Sequence, residues 1–420
     1  MNATELQVRI IPAIGEISAE AWDSCANPQA GTYSSEANGS CSDGEGKRPK
    51  PVNANPQETL FNPFISYNFL SELETSGSAI SRTGWQPQHL IAETQDGTIV
   101  GVAPCYLKSH SRGEYVFDAG WADAYERAGG SYYPKLQVAV PFTPVTGRRL
   151  LAPPGPNAET VRGVLGSAMV ELCRMRRASS AHVTFATEEE WRLLGAQGFL
   201  QRTDQQFHWE NAGYGTFDEF LEALAARKRK AIKRERREAL APGLTIHRLT
   251  GADLTEEAWD AFFAFYMDTG SRKWGRPYLT RKFFSLIGES MRDHILLVMA
   301  KRAGRWIAGA INFIGSDTLY GRHWGAVEHH PFLHFELCYY QAIEFAIERG
   351  LRVEAGAQGE HKLARGYMPV TTHSAHYIAD PALRRAIDDY LKRERAYVEA
   401  AGNELSALAP FRKNLMPDEA

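Results

Sequence analysis

The sequence predicts two related α/β domains in tandem, and a repeated order of segments carries that expectation. In the first half, HLIAETQDGTIVGVAPCYLK (His89–Lys108) reads as strands around a turn at Gln95-Asp96-Gly97. In the second half, HILLVMAKRAGRWIAGAINFIG (His294–Gly315) has the same design, with its turn at Ala303-Gly304-Arg305 and a small-residue bulge near Gly309. Each is followed by an aromatic-rich region and a helix, Val161–Arg177 and Phe335–Arg349. Each helix leads to a strand, His182–Ala186 and Arg352–Gly356. A glycine-aromatic pair follows, Gly198-Phe199 and Gly366-Tyr367, and then an aromatic strand, Gln206–Glu210 and Ser374–Ile378.

The remaining elements fall into place around this repeat. Leu6–Ile11 reads as a first strand and Ser18–Cys25 as a helix start, so 1–24 belongs with the first domain. Residues 25–58, which include GSCSDGEGKRPKP, are rich in Gly, Ser, Pro and Asn and poor in large apolar groups, the composition of a flexible insertion. The first domain resumes over 59–215, where Phe64, Phe69, Leu70 and Leu73 give a helical stripe. A basic helix is expected over 216–242, the second and catalytic domain over 243–400, and a tail over 401–420.

Composition bounds the function. The chain has 420 residues, 44% apolar and 23% charged, with a net charge of −3, the balance of a globular protein with more than one core. No apolar run is long enough to span a membrane, and the N-terminus lacks the pattern of a secretory leader. The 5 cysteines have no paired ligand spacing and read as reduced thiols of a cytoplasmic protein. Oligomeric state leaves no signal.

Against that neutral background, AARKRKAIKRERREA (Ala225–Ala239) concentrates Arg227, Lys228, Arg229, Lys230, Lys233, Arg234, Arg236 and Arg237. Leu221, Leu224 and Ile232 supply an apolar side, so the cations face outward or into a groove, where they would meet phosphates. Arg229, Lys230 and Lys233 are the substrate-binding candidates. Glu235 and Glu238 also permit plain i,i+4 pairing on a solvated face.

The densest set of chemical groups is AGAQGEHKLARGY (Ala355–Tyr367), at the C-terminal end of a buried strand, where α/β ligands collect. Proton transfer at a reacting group needs a positioned base, and a developing anion needs hydrogen-bond donors. Glu360 or His361 is the candidate base, and Gln358, Lys362, Arg365 and Tyr367 are candidate binders. Glu336 is a third catalytic candidate, at a helix N-terminus within HHPFLHFE. His330 and His334 have i,i+4 spacing, but Pro331 intervenes, so no metal site is expected. Arg272, Lys273 and Trp274 in RKWGRPY, and Arg322 and Trp324 in YGRHWG, pair cations with aromatics and could hold a charged or ring-shaped acceptor. In the first half, Tyr132 and Lys135 are expected to border the cleft between domains. Because that half lacks any equivalent of GEHKLARG, a single active site is expected. No serine-hydrolase, P-loop or Rossmann pattern is present.

The order of elements resembles the N-acyltransferase fold called GNAT, and the tandem resembles the Fem-type aminoacyl ligases of peptidoglycan bridge synthesis. More specifically, the chain resembles FemAB-like proteins of peptidoglycan biosynthesis or recognition. NPFISYNFLSELETSGS, GWQPQHL, GGSYYPKLQVAVPFTPVTGRRLL, RKRKAIKRERREA, RKWGRPYL, LYGRHWGAVE and LHFELCYYQAIEFAIERGLRVEAGAQGEHKLARGY carry the likeness, from about 60 to 395. The resemblance implies acyl transfer onto a small-molecule or peptide amine without metal or redox cofactor, and a basic segment near the substrate cleft. The donor it implies is aminoacyl-tRNA or acyl-CoA. Coenzyme A users carry Gln/Arg-x-x-Gly-x-Gly/Ala before the central helix, where backbone N–H groups hold the pyrophosphate. Here those stretches read EHHPFLHFELCYY and APPGPNAETVRG, without the motif, which favours the tRNA-borne donor. A binding protein for peptidoglycan precursors or RNA, without chemistry, is the reading of another class.

Overall fold

The computed structural model describes residues 6–28, 60–241, 243–274, 277–356 and 359–412. Most of the expected insertion over 25–58 lies outside the described residues, but Cys25 and Ala26 still belong to the helix Ala19–Ala26. The last helix, Pro381–Ala407, runs past the expected domain end at 400.

The strands are β1 (Leu6–Ile11), β2 (Trp85–Pro87), β3 (His89–Thr94), β4 (Ile99–Ala103), β5 (Cys105–Lys108), β6 (Lys135–Val138) and β7 (Ser180–Ala186). They continue with β8 (Leu200–Trp209), β9 (Thr245–Leu249), β10 (Ile295–Arg302), β11 (Arg305–Ile314), β12 (Thr318–Ala326), β13 (Arg352–Glu354) and β14 (Met368–Ile378). A small sheet of 3 strands has the order β1-β3-β4. Pro104, which has no N–H to donate, separates β4 from β5, and β5 joins the large sheet. That sheet has 11 strands in the order β2-β5-β6-β7-β14-β8-β13-β12-β11-β10-β9.

Each half therefore lays its closing strand in the other. β14 pairs antiparallel with β7, β8 pairs antiparallel with β13, and the two closing strands pair with each other from Met368↔His208 to His376↔Leu200. Within each half one parallel pair marks the centre: β6 with β7 over Leu136–Val138, and β12 with β13 over Thr318–Tyr320.

Helices cover the sheet with apolar faces. Ala158–Met175 packs on β3, β4 and β7, Glu256–Trp274 on β11 and β12, and Pro381–Ala407 on β8 and β14. The second contact is close at Gly309, which pairs with Met299 and Gly325 and has the expected irregularity on both sides. On one side of it β11 carries an extra residue, Ile307, opposite Ala300/Lys301 of β10, and on the other β12 carries one opposite Ala310–Asn312. A Cβ on Gly325 would stand 2.1 Å from the Phe265 carbonyl oxygen. Gly325→Ala must push the helix backbone off the sheet, so a loss of about 1–3 kcal/mol is expected, read as a lower denaturant midpoint at unchanged m-value.

Candidate active site where two strands part

β13 ends at Glu354 while β12 continues to Ala326, so beyond Tyr320 that edge of β12 has no strand partner. A cavity of about 240 Å³ opens in the gap. β12 supplies Gly321, Arg322, His323 and Trp324; the far wall comes from His334, Cys338, Tyr339, Ala355, His361 and Lys362. Opposite Ala310–Asn312, β12 carries one extra residue, a bulge that interrupts the ladder at Arg322-His323 beside the cavity.

The segment Glu360–Arg365 forms 3-10 turns. Gly359 precedes it with φ of +112°, and a Cβ there would meet the His361 ring at 2.4 Å, so only glycine lets that ring fold back. His361 Nε2 shares a hydrogen bond of 2.9 Å with the Tyr339 hydroxyl. Partial burial, with Arg365 and Lys362 nearby, pushes the imidazole pKa below its ordinary value, so the ring is neutral at pH 7 and able to accept a proton. Lys362 is buried and donates to the carbonyls of Ala355 at 2.5 Å and Gly356 at 2.9 Å. Burial pushes its pKa down to about 8, with Arg322 adding in the same direction. A binding or rate profile that depends on the charged ammonium is therefore expected to fall as pH rises through about 8. Lys362→Met is expected to abolish that limb; an unchanged profile in the variant would remove Lys362 from the site chemistry.

Tyr339 stands in a π-turn, Glu336–Tyr340, spliced between Leu333–Phe335 and the helix Gln341–Arg349. The wider turn rotates consecutive side chains to opposite duties. Tyr339 meets the cavity, whereas Glu336 points away and is fully buried, accepting from Arg236 Nε at 3.1 Å and Nη2 at 3.0 Å and from Gln341 at 2.8 Å. The expectation of a catalytic Glu336 at the helix start is corrected on that geometry: its oxygens are engaged by Arg236 and Gln341, outside the cavity lining.

Arg365 stands behind His361. It donates to the His361 carbonyl at 2.7 Å, to the Tyr340 hydroxyl at 2.9 Å and to Glu235 at 2.7 Å, with its guanidinium 3.6 Å over the Phe335 ring. Tyr340 also donates to Glu235. Tyr367 is fully buried against Tyr339. Arg322 is buried, pairs with Glu354 at 2.7 Å and borders the cavity, as does Trp324, whose ring lies 5.2 Å from that of His334.

The basic helix spans Ala226–Leu240 and buries Ile232, Glu235 and Ala239. Arg236 and Glu235 tie it to the π-turn and to the His361 segment. Of the predicted binders, Lys233 is exposed and pairs with Asp218 at 3.1 Å, Lys230 is exposed and Arg229 half-buried. Arg227, Lys228, Arg229 and Lys230 have no side-chain ion-pair or hydrogen-bond partner among the described residues.

Other candidates fall elsewhere. Arg272 is exposed and pairs with Asp268. Gln358 and the side chains of Lys273, Trp274 and Glu360 lie outside the described residues. Tyr132 and Lys135, expected at a cleft, are instead fully buried: Lys135 pairs with Glu114 at 2.6 Å and with Asp118, which accepts from Tyr132 at 2.8 Å. The correction has a simple cause, since every residue of β6 is internal to the sheet and a lysine there must bring its own counter-ions. Among the described residues no group of His, Cys, Asp or Glu could hold a metal ion, and no helix is long and apolar enough to cross a membrane.

Sequence reasoning missed Tyr339 and Glu235. A signal existed for Glu235: it falls between Ile232 and Ala239 on the buried stripe, where a carboxylate needs an internal partner.

The exchanged tandem, with a parallel strand pair parting at a cavity in its second half, defines a protein of two GNAT-like domains. The chain belongs to the FemAB_like family, described as peptidoglycan biosynthesis/recognition, which it matches over residues 13–413. Among solved structures it is similar to FemX, at 13% identity and a TM-score of 0.48, over 75% of this chain and 93% of that one. It is also similar to a tandem GNAT protein from the clavulanic acid biosynthesis pathway, at 13% identity and a TM-score of 0.47, over 90% and 99% of the two chains. L-PGS from Bacillus licheniformis is similar at 9% identity and a TM-score of 0.46, over 76% and 95%. No curated protein sequence matches the chain.

Proposed function

We propose that the protein is an N-acyltransferase that moves an aminoacyl group from tRNA onto an amine of a peptidoglycan precursor. The observation that carries this reading is the meeting of a neutral His361, held by Tyr339, with Lys362 in the gap between β12 and β13. The acceptor amine loses a proton to His361 and attacks the ester carbonyl, forming the C–N bond. Lys362, which has a third N–H beyond the donors used on Ala355 and Gly356, and the unpaired edge of β12 offer hydrogen bonds to the oxyanion. Collapse breaks the C–O bond, and the tRNA hydroxyl leaves with a proton. Two features support tRNA over coenzyme A as the carrier: residues 328–340 contain no glycine for a pyrophosphate loop, and Arg227–Lys230 of the basic helix have no side-chain partner among the described residues.

The test supplies charged tRNA or acetyl-CoA with a peptidoglycan stem peptide and reads the product mass. Aminoacyl peptide from charged tRNA alone is the expected product. Turnover with acetyl-CoA in its place would replace the donor, and equal product from His361→Ala would eliminate the base. Arg229→Glu with Lys230→Glu is expected to weaken tRNA binding and to flatten its salt dependence by about two charges, measured by filter binding at several ionic strengths.

A further inference from the structure

We propose that a second cavity, of about 550 Å³, formed between the segments 77–112 and 263–281, binds a small aromatic anion. It is lined by Phe142, Phe263 and Tyr278, with the buried Trp85 behind them, Arg82 and Arg112 among its polar groups and no carboxylate among the described lining residues. Phe142 and Tyr278 come from opposite halves and stack at 5.0 Å with their planes 12° apart. Phe142 holds φ at +63°, a strained value for a bulky side chain, so the surrounding structure fixes that ring in place.

The polar groups are under-used in a consistent direction. Arg82 and Arg112 have no side-chain hydrogen bond or ion pair among the described residues, whereas Arg281 at the same cavity is already bound to Glu256 and Asp260. A ligand with a flat apolar body and an anionic group meets each need: the body lies against the aromatic walls, and carboxylate or phosphate oxygens reach the guanidinium groups. A bare inorganic anion leaves the aromatic walls bare, and a neutral ring leaves two cations unpaired.

This site is separate from the one at β12. Phe142 and Leu279 also line a gap of only about 10 Å³, whose far side is Arg322 and His323. The phenylalanines between the two cavities close the passage, so binding here stands whether or not acyl transfer occurs at His361.

The experiment is ligand-observed NMR on the full chain with phenyl phosphate, benzoate, inorganic phosphate and benzyl alcohol. Phenyl phosphate or benzoate is expected to bind at least about tenfold more tightly than either control, and the stronger of the two identifies phosphate ester or carboxylate as the headgroup. The double variant Arg82→Ala with Arg112→Ala, both exposed positions, is expected to lose that preference at unchanged thermal midpoint. Tyr278→Leu tests the wall independently and is expected to weaken the aromatic anions but not inorganic phosphate. The proposal is overturned if neither aromatic anion binds at millimolar concentration, or if the arginine variant binds them as tightly as the parent.

Discussion

Unfolding free energy is expected to fall by roughly 3 kcal/mol or more between pH 6.5 and pH 4.5, a large part of a normal domain's stability. The cause is a set of histidines buried without charge. Burial pushes His182 down to about 3 and His323 down to about 4, and lowers His208 and His376 in the same direction. In the unfolded chain each returns to about 6.5 and takes up a proton as pH falls. The unfolded state then binds more protons than the native state, so stability declines with acidity, and each histidine whose native value lies below pH 4.5 costs about 2.7 kcal/mol by that pH. Asp23 opposes this. Burial raises its carboxyl to about 6, so it penalises the fold at neutral pH and relieves about 2 kcal/mol on the way to pH 4.5. Asp118, held near 2 by Lys135 against its burial, gives stability that is lost only below about pH 3.8 and does not enter this window. Urea unfolding at pH 7.5, 6 and 5 measures the slope. His323→Gln is expected to reduce proton uptake on unfolding by about one; a flat profile in the parent would show that these rings are not buried uncharged.

Glu235→Ala is expected to destabilise the protein by about 3–5 kcal/mol and to lower any transfer rate at His361. The stability loss arises because Arg365, with 6% of its side chain exposed, keeps its charge after its partner is gone. The rate effect follows from the same contacts. Arg365 holds the His361 carbonyl, so Glu235 sets the position of the imidazole without touching a substrate. Glu235→Gln retains an acceptor for Tyr340 and isolates the charge. It is expected to lower kcat with KM nearly unchanged and to leave the pH dependence of His361 displaced. A variant as stable and as active as the parent would reduce Glu235 to an ordinary helix residue.

What was legible in the sequence had local causes. The strand Leu6–Ile11, the hairpin turn at Ala303-Gly304 and the helix through Val161–Arg177 follow from alternation, turn residues and helical period. The cavity group Arg322, Trp324, His361 and Lys362 was legible because polar and aromatic residues cluster after predicted strands. The rest depends on distance along the chain. Glu235 and Arg365 are 130 residues apart, and nothing near either announces the other. Lys135 reads as a cleft residue until β6 is known to lie inside a sheet of 11 strands. A π-turn differs from an α-turn by one hydrogen-bond step, so Glu336 and Tyr339 could not be assigned to opposite sides from spacing alone.

The crossing of β8 and β14 bears on how such a tandem persists through evolution. If either half were deleted, its sister would be left with a foreign closing strand missing and a long row of bare peptide groups, an invitation to aggregate. Selection on chemistry in one half therefore preserves the other as its structural complement, even where that partner catalyses nothing. The interlock makes the two halves a single heritable unit.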